Sequence, residues 1–286
     1  MSDRFGNARV LVVAGSDAGG GAGIQADLKT VMALGGYAAT AITALTAQNT
    51  LGVQDVHTVP PAFIRAQMAS VLDDIGADCI KTGMLHDEAV IDAVAEELDA
   101  RAVDVPLVLD PVMVAQSGDR LLAEAATERL IQVLLPRATL LTPNLPEAEV
   151  LLGRSLEDPA AMAEAAEALR ALGPQAVLLK GGHAPGEEVV DCLATREGVT
   201  CFRAQRIATT ASHGTGCTLA SAIATGLAQG LDDHDAVLRG RAYLLEALRT
   251  APGLGSGAGP VNHACLVPSS RGGGDSGGAA TNWHCP

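Results

Sequence analysis

The chain has 286 residues, of which 48% are apolar and only three Phe, two Tyr and one Trp are aromatic. That length suits one large domain or two small ones around a core built mainly of Ala, Val, Leu and Ile. Thirty-three acidic against nineteen Lys and Arg side chains give a formal net charge of −14. This balance excludes wrapping of a nucleic-acid backbone, and the scarcity of aromatics excludes a base-stacking platform.

Residues 1–9 are polar and the apolar run 10–14 is too short to span a bilayer, so neither a leader nor a membrane partner is expected, and the location predicted is cytoplasmic. Cys79, Cys192, Cys201, Cys217, Cys265 and Cys285 show no C-x-x-C spacing. Neither a zinc site nor a disulfide framework is therefore expected, and the thiols are read as reduced.

The run 10–14 reads as a first buried strand, followed by a Gly-rich loop over 15–23 and a helix to about 34. Further strands are predicted at 38–45, 53–59, 78–81, 107–110, 138–141 and 176–180, with helices at 61–74, 87–101, 122–135 and 158–172. The last helix has Asp158 as N-cap, Pro159 in its first turn and Gly173-Pro174 as its stop. After Lys180 a hairpin of 189–194 and 199–205 predicts an antiparallel edge, and helices at 215–229 and 232–250 flank Gly230. Strand–helix alternation of this kind implies a mostly parallel sheet covered on both faces. Residues 1–268 are read as one domain and the Gly/Ser-rich 269–286 as a disordered tail.

Four segments carry chemistry. Gly15-Ser16-Asp17-Ala18-Gly19-Gly20-Gly21-Ala22-Gly23 joins a strand to a helix, bringing backbone N–H groups to a ligand. It lacks the Gly-Lys-[Ser/Thr] ending of a Walker A loop and fails GxGxxG, which argues against a dinucleotide oxidoreductase. Asp27, on the following helix, is placed to return a carboxylate toward this loop. His213-Gly214-Thr215-Gly216-Cys217 opens an apolar helix, where consecutive amides form an anion hole and the Cys217 thiol is expected to have a lowered pKa. Thr142-Pro143-Asn144-Leu145-Pro146-Glu147 follows a strand end, so Glu147, with Asp110 at a neighbouring strand end, is a candidate for hydrated magnesium. Lys180-Gly181-Gly182-His183 sets a cation beside flexible backbone, which suits nucleotide phosphates. His183 and His213 are read as orienting residues. Together these features describe phosphoryl transfer.

These segments, with Gly23-Ile24-Gln25-Ala26-Asp27-Leu28-Lys29-Thr30, Ala47-Gln48-Asn49-Thr50, Lys81-Thr82-Gly83-Met84-Leu85 and Asp110-Pro111-Val112-Met113, resemble hydroxymethylpyrimidine/phosphomethylpyrimidine kinases, collinearly from about residue 9 to 263. The resemblance implies a ribokinase-like three-layer α/β/α fold with a central mostly parallel sheet, and a homodimer acting in thiamine biosynthesis. It further implies ATP and Mg2+ as co-substrate and cofactor, and two phosphorylations of 4-amino-5-hydroxymethyl-2-methylpyrimidine. By the same resemblance, Gln48 holds the aminopyrimidine, with Ala22, Met84 and Val112 around its ring and Asp27 near its hydroxymethyl group. Asn144, Lys180 and Thr215 contact the nucleotide, Glu147 and Asp110 the metal, and Gly214, Gly216, Cys217 and Lys180 form the catalytic set. Gly20 stands where the family usually has Ser, Ala208 replaces a polar residue, and the family's aromatic ending is absent after Asn262-His263. A pyridoxine or pyridoxal kinase and a non-catalytic pyrimidine sensor are the alternatives.

Overall fold

Neighbouring residues of the central strands point into two different cores, and this alternation sets the layers. Leu11 and Val13 pack on one face of the sheet with Leu107, Leu109, Leu141, Val177 and Leu179. Val10, Val12 and Ala14 face the other way with Val108, Leu140, Ala176 and Leu178. The molecule is a computed structural model that describes residues 8–113, 124–156 and 161–267.

In chain order the elements are β1 (Arg9–Asp17), α1 (Gly23–Ala33), β2 (Tyr37–Asn49), β3 (Gly52–Thr58), α2 (Pro61–Asp74), β4 (Cys79–Thr82), α3 (Glu88–Arg101) and β5 (Leu107–Leu109). Then come α4 (Glu124–Val133), β6 (Leu140–Leu141), α5 (Leu145–Leu152), α6 (Met162–Arg170), β7 (Ala176–Leu179), β8 (Glu188–Thr195), β9 (Gly198–Gln205), α7 (Thr215–Ala228) and α8 (Asp233–Arg249). Among the described residues these strands form one nine-stranded sheet in the order β3-β2-β1-β4-β5-β6-β7-β8-β9. Pairing is parallel from β2 through β7 and antiparallel at β3 and at the β7–β8–β9 edge. Helices α2 to α6 cover the first core, while α1, α7 and α8 cover the second. The expected three-layer α/β/α architecture is therefore present, with strand order reversing at β1, so that a crevice opens beyond the carboxyl ends of β1 and β4.

Four expectations change. β1 continues through Gly15 to Asp17, with a register shift against β2 between Ala14 and Ser16, so the Gly-rich loop shortens to 18–22. Helix α5 was not predicted; it is eight residues long and follows β6 almost directly. β3 adds a second antiparallel edge, paired to β2. Finally, Cys192 and Cys201 face each other across the β8–β9 hairpin and are joined as a disulfide, against the expectation of reduced thiols. The cross-strand register brings their Cα atoms to 4.2 Å, which spacing along the chain could not reveal. The helix start expected at Asp158 and Pro159, the first two residues of the 122–135 helix and the 269–286 tail lie outside the described residues. Among the described residues no helix is long and apolar enough to cross a membrane.

Candidate active site

A cleft of about 540 Å3 lies over the carboxyl ends of the strands, within the size range of small-molecule sites. It is lined from one side by Ala22, Gln48, Met84 and Val112, and from the other by Asp110, Asn144, Glu147, Lys180, Gly214, Thr215, Gly216 and Cys217. Ala208 lines it as well. Of the residues given a catalytic, substrate, nucleotide or metal role in the sequence analysis, Asp27 alone is not at its surface.

The first of these walls rests on β1 and β2. A Cβ at Gly15 would sit 2.8 Å from the Met84 methyl, so the bare glycine leaves room for the tip of Met84 against β1. The Gln48 amide lies beside Thr46, for whose single hydroxyl proton the Ser16 carbonyl at 2.8 Å and Gln48 Oε1 at 3.0 Å are the two acceptors. Gly20, one of the departures from the family pattern, has φ +75° and accepts from Lys29 Nζ at 2.7 Å through its carbonyl, so its backbone conformation favours glycine.

Two helices open onto the cleft without a side-chain cap, α1 at Ala22 and α7 at Gly214. Their first-turn N–H groups and dipoles favour negative charge between them. Cys217 stands in the first turn of α7, and the Gly23 amide of α1 donates toward its sulfur. Yet burial pushes the thiol up to about 11; Lys81 opposes this, and Asp27 and Asp110 add to it. The expected lowering is thus reversed, because desolvation and two carboxylates outweigh the helix start.

Asp27 faces the second core, on the same side of α1 as Ile24 and Val31. Burial raises its carboxyl pKa, against the ion pair it makes with Lys81 Nζ at 2.9 and 3.1 Å and a 2.6 Å hydrogen bond from Ser221 Oγ. Both members of the pair are fully buried. Burial alone would lower the Lys81 ammonium, but Asp27, then Cys217 and Asp110, hold it above its ordinary value. Asp27 therefore lies beneath the floor of the site and reaches the cleft only through Lys81 and the field at Cys217. Lys81 and Ser221 were missed; the signal for them was an acid on the apolar stripe of a helix, which demands a buried cation.

On the opposite side, Asn144 caps α5. Its side chain accepts from the Glu147 amide at 2.9 Å, and Glu147 Oε2 accepts from the Asn144 amide at 2.8 Å, a reciprocal capping box. Burial raises Glu147 to about 7, Lys180 opposes the rise and Asp110 reinforces it. Lys180 Nζ donates to Asp110 Oδ1 at 3.1 Å, beside Thr142 Oγ1 at 3.1 Å. Burial would lower the Lys180 ammonium, but Asp110 and Glu147 keep it above its usual range. A Cβ on Gly216 would lie 3.4 Å from Lys180 Nζ, so the anion turn and the lysine share one space. Two neighbouring buried carboxylates with hard oxygen donors, one of them raised in pKa by burial and by the other's charge, fit a divalent cation. The far end of the cleft is shaped by Arg206, whose guanidinium donates to the carbonyls of Gly182, Ala184 and Gly186. It is closed by Asp191, which accepts from the Gly181 amide and from Arg241 Nε, both at 2.8 Å. None of these three residues was anticipated.

Residues 17–262 match the family model described as phosphomethylpyrimidine kinase. A hydroxymethylpyrimidine/phosphomethylpyrimidine kinase of Mycobacterium bovis is 48% identical over 256 residues, which cover 89% of this chain and 93% of that protein. A thiamine biosynthesis bifunctional protein of Geobacter sulfurreducens is 50% identical over 267 residues; the match takes in 93% of this chain but 54% of that longer protein. Among solved structures, a Bacillus subtilis pyridoxal kinase in an ADP complex has a TM-score of 0.83 at 36% identity, covering 90% of this chain and 98% of that one. The ribokinase-like architecture is shared with it. By its matched residues and by its relatives, the chain belongs to the phosphomethylpyrimidine kinase family.

Proposed function

We propose that the protein transfers the γ-phosphoryl group of ATP to the hydroxymethyl oxygen of 4-amino-5-hydroxymethyl-2-methylpyrimidine, and then a second phosphoryl group to the monophosphate. The observation that carries this reading is one cleft with two chemically distinct ends. Gln48, Met84, Val112 and Ala22 offer directional bonds and an aliphatic slot for a small heteroaromatic ring. Lys180, the 214–217 amides and the Asp110–Glu147 carboxylates offer a phosphate and metal station at the other end. The names of the relatives support the choice of substrate.

In this mechanism Gln48 fixes the ring and so aims the hydroxymethyl group at the α7 turn. The reacting phosphoryl group gathers negative charge on its oxygens, which Lys180 and the 214–217 amides stabilise. Glu147 and Asp110 would hold magnesium, which supplies further neutralisation of the phosphates when bound. Cys217 accepts the alcohol proton in the first step through its deprotonated minority, whereas the second nucleophile is already an anionic phosphate oxygen. Incubation with ATP, magnesium and the pyrimidine should yield monophosphate and then diphosphate; absence of both products overturns the proposal.

The likeness to a pyridoxal kinase favours one second reading, phosphorylation of pyridoxal at its own hydroxymethyl group. Side-by-side kcat/KM values on the two alcohols separate the readings, with the pyrimidine expected to be preferred. A cytosolic homodimer belongs to the same proposal. Light scattering tests the dimer, and fractionation of the source cells tests the compartment.

A further inference from the structure

Asp17 ends β1 at the lip of the cleft and is only 2% exposed. Its Oδ1 accepts from the Gly19 amide at 2.7 Å. Its Oδ2 accepts from the Gly21 and Ala22 amides and from His213 Nε2, all at 2.8 Å. Both carboxylate oxygens are thereby engaged, which leaves this residue to hold structure rather than substrate. The acceptor is a carboxylate, so Nε2 is the protonated ring nitrogen. Burial works against the charge on Asp17, yet the His213 bond and the loop amides hold its carboxyl below the usual range.

His213 is anchored in turn. Its backbone amide donates to the Gly259 carbonyl at 3.1 Å, and it bridges to Pro260. The two loops meet without slack: a Cβ on Gly214 would fall 1.9 Å from the Gly21 carbonyl oxygen, and one on Gly21 would fall 2.5 Å from His213 Cδ2. One side of this contact leads into Ala22 and Gly23, at the start of α1 and on the ring side of the cleft. The other leads directly into the 214–217 amides.

We infer that Asp17 and His213 are a positioning pair that clamps the 18–22 loop onto the turn opening α7, fixing the separation between the wall that holds the acceptor ring and the amides that stabilise the transferred group. The inference rests on the proposed kinase reading for the identity of the acceptor alone. In a transfer that depends on alignment, small displacements cost large factors in rate.

The test combines amide hydrogen exchange with kinetics on the full chain carrying His213→Ala or His213→Gln. In His213→Ala the Gly19, Gly21 and Ala22 amides should exchange about tenfold or more faster while β1 to β7 keep their protection. The acceptor kcat/KM should fall about tenfold or more, with the KM for ATP changed less than about threefold. His213→Gln keeps an N–H for Asp17 and should recover most of both effects. Unchanged exchange over 18–22 in His213→Ala, or no recovery with glutamine, overturns the pair. Should His213→Ala fail to fold, His213→Asn, too short to reach Asp17, takes its place. If the wild-type protein leaves the pyrimidine untouched, the functional proposal fails, while the exchange experiment still decides the clamp.

Discussion

At Cys217 two influences compete, and the outcome sets what can be measured. The helix start and Lys81 favour a thiolate; burial and the carboxylates of Asp27 and Asp110 favour the thiol, which stands at about 11. If the deprotonated minority is the base, the first phosphorylation accelerates by about tenfold per pH unit above neutrality, until the thiol titrates. Cys217→Ala should flatten that profile and slow the first step far more than the second; equal losses in both would leave Cys217 a packing residue. Glu147 gives a second, independent titration. Its folded-state pKa of about 7 lies above the ordinary carboxyl value of 4.5, so the folded protein binds the extra proton between those limits. The ligand-free protein therefore loses stability as pH rises through this window, by at most about 3 kcal/mol. Glu147→Gln should remove the slope and melt higher than wild type at pH 8; an unaltered slope would show that another group titrates. Neither value was legible in the sequence, because desolvation is a property of what surrounds a side chain and not of its neighbours in the chain.

Among the elements, legibility followed the strength of the local signal. Helix α2 occupies the predicted 61–74 span, because a proline starts it and apolar residues recur at helical spacing. The hairpin at β8 and β9 was equally plain, with Gly198 at φ +128° where the strand pairing resumes. Helix α5 was hidden by its brevity, although a proline in a first turn is a helix-start signal once Asn144 is recognised as the cap. The same capping box that holds the Glu147 carboxylate also stabilises the helix, so Asn144→Ala should cost about 1 kcal/mol of stability and raise the KM for ATP. Thermal unfolding and initial rates check this together; a lower melting point with an unaltered KM would confine Asn144 to structure. The Asp27–Lys81 pair was half legible: Ile24, Asp27 and Val31 share one helix face, but only the fold shows that Lys81 on β4 answers it.

Over the whole molecule, the net charge of −14 opposes an anionic nucleotide, while the cleft's Lys180 and Arg241 are each tied to a carboxylate and Arg206 to backbone carbonyls. Screening of this field should therefore help ATP to arrive. Between about 0.01 and 0.15 M salt the Debye length falls from roughly 30 to 8 Å, and kcat/KM for ATP should rise. A fall over that range would mean that local attraction at the cleft outweighs the long-range field. The two cores also impose an order on synthesis. The face covered by α2 to α6 is complete once β8 and β9 have emerged, but Val12, Val108 and Leu178 on the opposite face lack most of their cover until α7 and α8 follow. A nascent chain halted near residue 205 would thus hold a half-dressed sheet, a substrate for chaperones, and no anion turn. The helices that seal the molecule also complete its chemistry, so an unfinished chain can neither hide its core nor consume ATP.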